Sequence, residues 1–263
     1  MSGVRSRTAA DAAPASTGVP AIPAGVEGLD ARGVLRLVLD TLSRERLALS
    51  TSFGLEGLVI LDLLLGLEPR ARVFTLDTGR LPEETYELME RVRARYGIEI
   101  EVFAPEAHDV EAMVRTRGPN LFYGSFEDRL RCCEVRKVRP LRRALAGLDG
   151  WIVGLRRDQA PTRSATPKVS LDLEHGLIWK VAPLADWTAD EVWTYVRAHD
   201  LPYNALHDRG YPSIGCAPCT RAVEAGGDPR SGRWWWEGPE ARECGIHVGR
   251  EDLLAAVSAG SAR

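Results

Sequence analysis

The strongest chemical signal in the chain is its five cysteines. Cys132 and Cys133 are adjacent, Cys216 and Cys219 form a C-x-x-C pair, and Cys244 stands apart. Four paired thiols suggest a metal site and the fifth a reactive thiolate, against the plainer reading of buried inert thiols and one surface cysteine. Zinc takes tetrahedral thiolates whose pairs are usually spaced by two to four residues, and neighbouring cysteines serve it awkwardly. An iron–sulfur cube offers separate irons to separate thiolates and tolerates an adjacent pair better. A thiolate needs nearby positive charge at neutral pH. In Glu243-Cys244-Gly245-Ile246-His247, His247 and the preceding Arg242 supply it, and Gly245 leaves the sulfur accessible.

Only three of the 34 Lys and Arg residues are lysines: Lys137, Lys168 and Lys180. Lys137 follows Cys133 by four residues, a spacing that places both on one helix face and brings an ammonium toward the thiols or toward an anion beside them. The plainer alternative is an exposed lysine on a basic helix with Arg136, Arg139, Arg142 and Arg143. Arginines, which bind phosphate or sulfate bidentately, gather in Gly154-Leu155-Arg156-Arg157-Asp158-Gln159-Ala160-Pro161-Thr162-Arg163 and again at Arg230 and Arg233.

Two loops have the composition of a nucleotide cradle. Ser50-Thr51-Ser52-Phe53-Gly54-Leu55-Glu56 offers hydroxyls, a glycine and the N–H groups of a helix start. Leu76-Asp77-Thr78-Gly79 can hold a base or ribose through backbone groups. Taken alone, both are equally well read as capped turns. The first is no Walker A loop and lacks the Ser-Gly-Gly-x-Asp-Ser of ATP pyrophosphatases. With no lysine and with Glu56, it suits a nucleotide with fewer phosphates.

Such loops need an α/β frame. Asp30 is a plausible N-cap, and Leu35, Val38, Leu39 and Leu42 follow at helical spacing. Strands are expected at Leu47–Thr51, Val73–Leu76, Ile98–Phe103 and Trp151–Val153. Helices are expected at Leu55–Leu65, at Pro82–Tyr96 with Pro82 near its first position, in two stretches across Val110–Ala146, and at Asp190–His199. A small hairpin is expected from Val169–Leu173 and Leu177–Val181. The alternation predicts an α/β fold, a mostly parallel sheet with helices on both faces, and ligands bind at the carboxyl edge of such sheets. Residues 1–28 read as a disordered tail, 29–225 as the nucleotide-binding domain with the metal site, and 226–263 as a C-terminal segment with the reactive cysteine.

The composition is that of an ordinary globular chain: 263 residues, 44% hydrophobic, 27% charged, net charge −3. It argues against nucleic acid as a partner, and no apolar run approaches the ~18–20 residues of a membrane helix. An odd, small number of cysteines and the lack of a signal-peptide core make a reducing cytoplasm the expected compartment.

Jointly, Ser50–Glu56, Leu76–Gly79, Cys132-Cys133 with Lys137, Gly154–Ser164, Cys216-x-x-Cys219 and Glu243–His247 resemble the assimilatory adenylylsulfate (APS) reductases, the thioredoxin-dependent iron–sulfur enzymes of sulfate assimilation. The likeness runs from about Leu47 to Gly249. It implies an adenine nucleotide alpha hydrolase-like (PP-loop-like) layout, a [4Fe–4S] cluster on Cys132, Cys133, Cys216 and Cys219, and Cys244 as nucleophile on a mobile C-terminal segment. It further implies phosphosulfate contacts from Lys137, Arg230, Arg233 and His247. Ser50, Ser52, Leu76 and Gly154 match positions on the nucleotide side, and Arg163 a substrate-binding arginine. Both cysteine pairs are usually missing from relatives that use the 3′-phosphorylated substrate (PAPS), so APS is expected as the preferred substrate. A homo-oligomer is compatible with the sequence. Two other readings stand beside this one: a nucleotide-activating sulfur transferase, and a zinc-bound nucleotide sensor without catalysis.

Overall fold

The computed structural model describes residues 18–238 and Ile246. Period-two burial builds its sheet. In β1 (Leu47–Ser50), Leu47 and Leu49 face one core while Ala48 faces the other; in β2 (Arg72–Leu76), Val73 and Phe74 divide the same way. Strands buried on both faces read as nearly continuous apolar runs, as these do. With β3 (Glu101–Phe103), β4 (Gly150–Ile152), β5 (Val169–Asp172) and β6 (Ile178–Val181), they form one sheet in the order β3-β2-β1-β4-β6-β5. All neighbours pair in parallel except β5 with β6. The expected hairpin is therefore the edge of the main sheet.

One face is covered by α1 (Ala31–Thr41), α2 (Leu55–Leu65), α3 (Glu83–Tyr96) and α7 (Ala189–Ala198), whose Leu35, Leu58, Leu88 and Val192 join one core. The other is covered by α6 (Arg139–Leu145) through Leu141, Ala144 and Leu145. Asp30 caps α1 as expected, accepting the Gly33 N–H at 2.6 Å. Pro82 is the cap residue before α3, one position earlier than its expected place.

Two expectations need correction. Residues 18–28 are no loose tail: Val19, Ile22 and Val26 pack on the core, Pro20 accepts the Trp179 indole N–H, and Glu27 pairs with Arg157. The stretch 110–146 holds more than two helices. It contains α4 (Ala107–Arg117), α5 (Phe126–Cys133), a π turn over Glu134–Val138, and α6. Pro140 has no N–H for the Arg136 carbonyl and its ring crowds that oxygen. The widened turn just before it relieves both. Across residues 225/226, Thr220 bridges to Arg233 and the Arg221 N–H donates to the Gly232 carbonyl.

Candidate active site

The order β3-β2-β1-β4 reverses direction at β1, and the crevice beyond the β1 and β4 ends is where ligands bind in such sheets. The loop after β1 and the loop after β4 meet there. A Cβ on Gly154 would lie 3.0 Å from Glu56 Cβ and 3.2 Å from Gly57 N, so only glycine allows this approach without strain. Thr51 Oγ1 accepts the Phe53 N–H at 3.0 Å and holds Phe53 at φ 59°, which turns the chain sharply into α2. Gly54 caps α2 without a side-chain bond, so no cap side chain occupies its first amides. Ser50 and Gly154 are half-buried and Ser52 is exposed beside them.

Glu56 sits at that helix start without opposing an anion. Its Oε1 accepts Arg156 Nε at 2.8 Å and Gln159 Nε2 at 2.9 Å, and Gln159 Oε1 in turn accepts Arg163 Nη1 at 2.6 Å. The loop expected to bind substrate is thus braced against α2, with Arg163 at its outer end. Arg156 is buried and serves this brace, a role sequence separation of 100 residues concealed.

The loop after β2 joins two halves of the site. Leu76 is half-buried at the strand end. Asp77 Oδ1 accepts both the Gly79 N–H and the Tyr86 hydroxyl at 2.8 Å. Thr78 Oγ1 lies 3.2 Å from Cys216 Sγ, Arg136 Nη1 donates to the Thr78 carbonyl at 2.7 Å, and the Arg80 carbonyl accepts the Ala217 N–H at 2.8 Å. Three bonds therefore fasten this loop to the thiol-bearing segments.

Cys132, Cys133, Cys216 and Cys219 are all buried and line one cavity with Arg80, Arg129, Arg136, Lys137 and Trp234. The space is about 350 Å³ counting its open mouth. The structure thus unites both cysteine pairs and Lys137, though through a π turn where a regular helix face was expected. Burial and the neighbouring Cys216 push the Cys219 thiol up to about 12, against Lys137 and Arg233. Burial likewise raises Cys132, with Arg136 opposing. Among the described residues, no three Cys, His, Asp or Glu side chains converge on a point as ligands of a single ion would. The donor set nonetheless fits a [4Fe–4S] centre. A cube takes one thiolate per iron and so spreads its ligands, and its net negative charge suits the surrounding cations.

Arg233 is buried, with Nη1 3.2 Å from Ser213 Oγ and its guanidinium 4.7 Å from the Trp234 ring centroid. A second guanidinium, Arg129, lies 4.6 Å from the same centroid and pairs with Glu237 at 2.8 Å. Sequence reading passed over Arg129, although it precedes Cys132 by one helical turn and shares its face. Arg230 sits in the turn beginning at Asp228, whose carboxylate accepts the Arg230 N–H. Lys168, singled out by its rarity, is structural: it is buried and bonded to Asp186 and to the Glu27 and Leu29 carbonyls. Cys244 and His247 lie outside the described residues. Ile246, between them, packs on both the α6 core and the thiol-bearing cluster.

Residues 46–222 match the model of the phosphoadenosine phosphosulfate reductase domain. A protein of Allochromatium vinosum named adenosine 5'-phosphosulfate reductase is 49% identical over 203 residues, covering 77% of this chain and 79% of the relative. The phosphoadenylyl-sulfate reductase of Candida auris, solved as a phosphate complex, superposes with a TM-score of 0.63 at 30% identity over 74% of this chain and 91% of that one. The FMN adenylyltransferase of Candida glabrata shares the fold alone, with a TM-score of 0.52 at 14% identity over 86% and 80% of the two chains. The reversal of strand order at β1/β4, a thiol-lined cavity and a match over two thirds of the sequence agree: the chain belongs to the phosphoadenosine phosphosulfate reductase domain family.

Proposed function

We propose that the protein reduces adenosine 5'-phosphosulfate to sulfite and AMP, with thioredoxin as reductant and an S-sulfonate on Cys244 as intermediate. The activity is that of its bacterial relative, and the observation carrying the reading is that both cysteine pairs, Lys137 and the loop after β2 meet at one edge of the nucleotide crevice. The Cys244 thiolate attacks the sulfur of the substrate, an S–S bond forms, the S–O bond to AMP breaks, and AMP leaves with that electron pair. A thioredoxin thiolate then attacks the Cys244 sulfur and sulfite departs with the S–S electrons. The second thioredoxin thiol resolves the mixed disulfide and completes the two-electron oxidation of the dithiol.

Nucleophile and substrate are both anionic, so fixed cations must lower their repulsion. Lys137 and Arg233, whose charges both act on the Cys219 thiol, take this role in the reading, with Arg230 and His247 as further phosphosulfate contacts. Ser50, Ser52, Leu76 and Gly154 hold the nucleoside end, and Arg163 closes over it. Cys132, Cys133, Cys216 and Cys219 would hold a [4Fe–4S] cluster, which supplies a charged centre that orients Lys137 rather than an electron relay.

The test is sulfite release from APS and from PAPS, with and without reduced thioredoxin. APS is the expected preference in kcat/KM; an equal or reversed preference would show that the cysteine pairs do not report selectivity here. Cys244→Ser should keep any bound cluster's visible absorbance and substrate binding yet lose turnover by about 10⁴-fold or more. A serine variant that still turns over would assign the nucleophile elsewhere.

A further inference from the structure

We propose that Tyr123, Trp235 and Trp236, with Arg221, form the docking face for the dithiol protein that removes sulfite from Cys244; this rests on the S-sulfonate reading above. Tyr123 is 46% exposed, an unusual state for so large a ring beside a buried site. Trp235 and Trp236 are half-buried next to it. The three rings touch one another, at centroid distances of 4.5 Å for Tyr123–Trp236, 4.8 Å for Trp235–Trp236 and 6.3 Å for Tyr123–Trp235. The Arg221 guanidinium lies 5.3 Å from the Trp235 centroid. Tyrosine, tryptophan and arginine are the residue types that dominate interface hot spots.

The patch is also held in place. Tyr123 donates its hydroxyl to the Pro218 carbonyl at 2.9 Å, within the C-x-x-C turn, and Phe122 backs Trp236 at 6.1 Å. Rings fixed before binding lose little freedom on binding.

Location selects the occupant. A reductant must touch the Cys244 sulfur. Cys244 is two residues from Ile246, a chain reach of about 7 Å. Ile246 and Trp236 pack against the same thiol-bearing cluster. In sequence, Trp236 and Ile246 bracket Cys244. A protein interface covers ~800 Å² on each partner, far wider than that reach. Any protein that contacts the Cys244 sulfur therefore covers ground where the aromatic patch stands.

The experiment uses full-length, cluster-loaded protein with Trp235→Ala and Trp235→Phe. The native protein, incubated with APS and no reductant, gains a sulfite-sized mass on Cys244. Trp235→Ala should gain the same mass and turn over equally well with dithiothreitol, which needs no docking face. Its KM for reduced thioredoxin should rise about tenfold, and Trp235→Phe should recover most of that loss. An unchanged KM for thioredoxin overturns the proposal. So does an equal loss with dithiothreitol, which would place Trp235 in the chemistry or in folding. A halved mass by light scattering with an unchanged KM would assign the patch to a second copy of the chain. If the native protein forms no adduct, the S-sulfonate reading falls first and the docking face with it.

Discussion

An alanine at position 215 would place its Cβ 2.2 Å from Arg233 Nη2 and 2.7 Å from Cζ. A mobile side chain would swing aside, but this guanidinium is 7% exposed and lies against Trp234, so it must displace its own packing. Gly215→Ala is therefore expected to cost about 1–3 kcal/mol of stability. Because the displaced group is the proposed phosphosulfate contact, KM for APS should also rise by about tenfold. Thermal unfolding and steady-state kinetics together check both. A variant with native KM would remove Arg233 from the substrate side.

The π turn over Glu134–Val138 is the element that presents Lys137, and its cause lies in Pro140. Pro140→Ala returns an N–H to the helix and lets the register tighten. The melting temperature should hold or rise, while kcat/KM for APS falls by about 10²-fold as Lys137 turns away from the cavity. Loss of stability with native kcat/KM would contradict this. Only part of this element could be read from sequence. Strand alternation and apolar spacing located β1 and α2 to within a residue, because local periodicity determines both. That Cys132, Cys133, Cys216 and Cys219 share one cavity was legible because their spacing is itself the signal. A single proline in a helical pattern marks a break but does not say that the break becomes a wide turn. The Arg156–Glu56 and Arg129–Glu237 pairs were not legible either, since 100 and 108 residues separate the partners and no local pattern links them. Val19, Ile22 and Val26 lack any period, so their packing on the core was hidden inside a tail-like composition.

Across the whole molecule, the sheet edge far from the crevice carries its own acid-sensitive lock. Burial pushes the Asp172 carboxyl up, but bonds from His175 and Trp151 and the charges of His175 and Lys180 outweigh it, and its pKa is held below the usual value. A depressed carboxylate binds fewer protons folded than unfolded. Its stabilisation is present above the unfolded pKa and is lost as pH falls through the folded one. Acid unfolding monitored by circular dichroism should therefore steepen below the ordinary carboxylate range, and Asp172→Asn should flatten that limb. An unchanged limb would assign the acid sensitivity to other groups. The three bonds that fasten the loop after β2 to the thiol-bearing segments have a different reach. Amide hydrogen exchange reports which backbone groups open together. The Ala217 N–H points to Arg80 across that junction, so it can exchange only when the nucleotide-side loop and the C-x-x-C turn part. The two are therefore expected to open as one cooperative unit. Oxidative damage to the thiols would therefore appear as faster exchange at the mouth of the nucleotide crevice before any global unfolding.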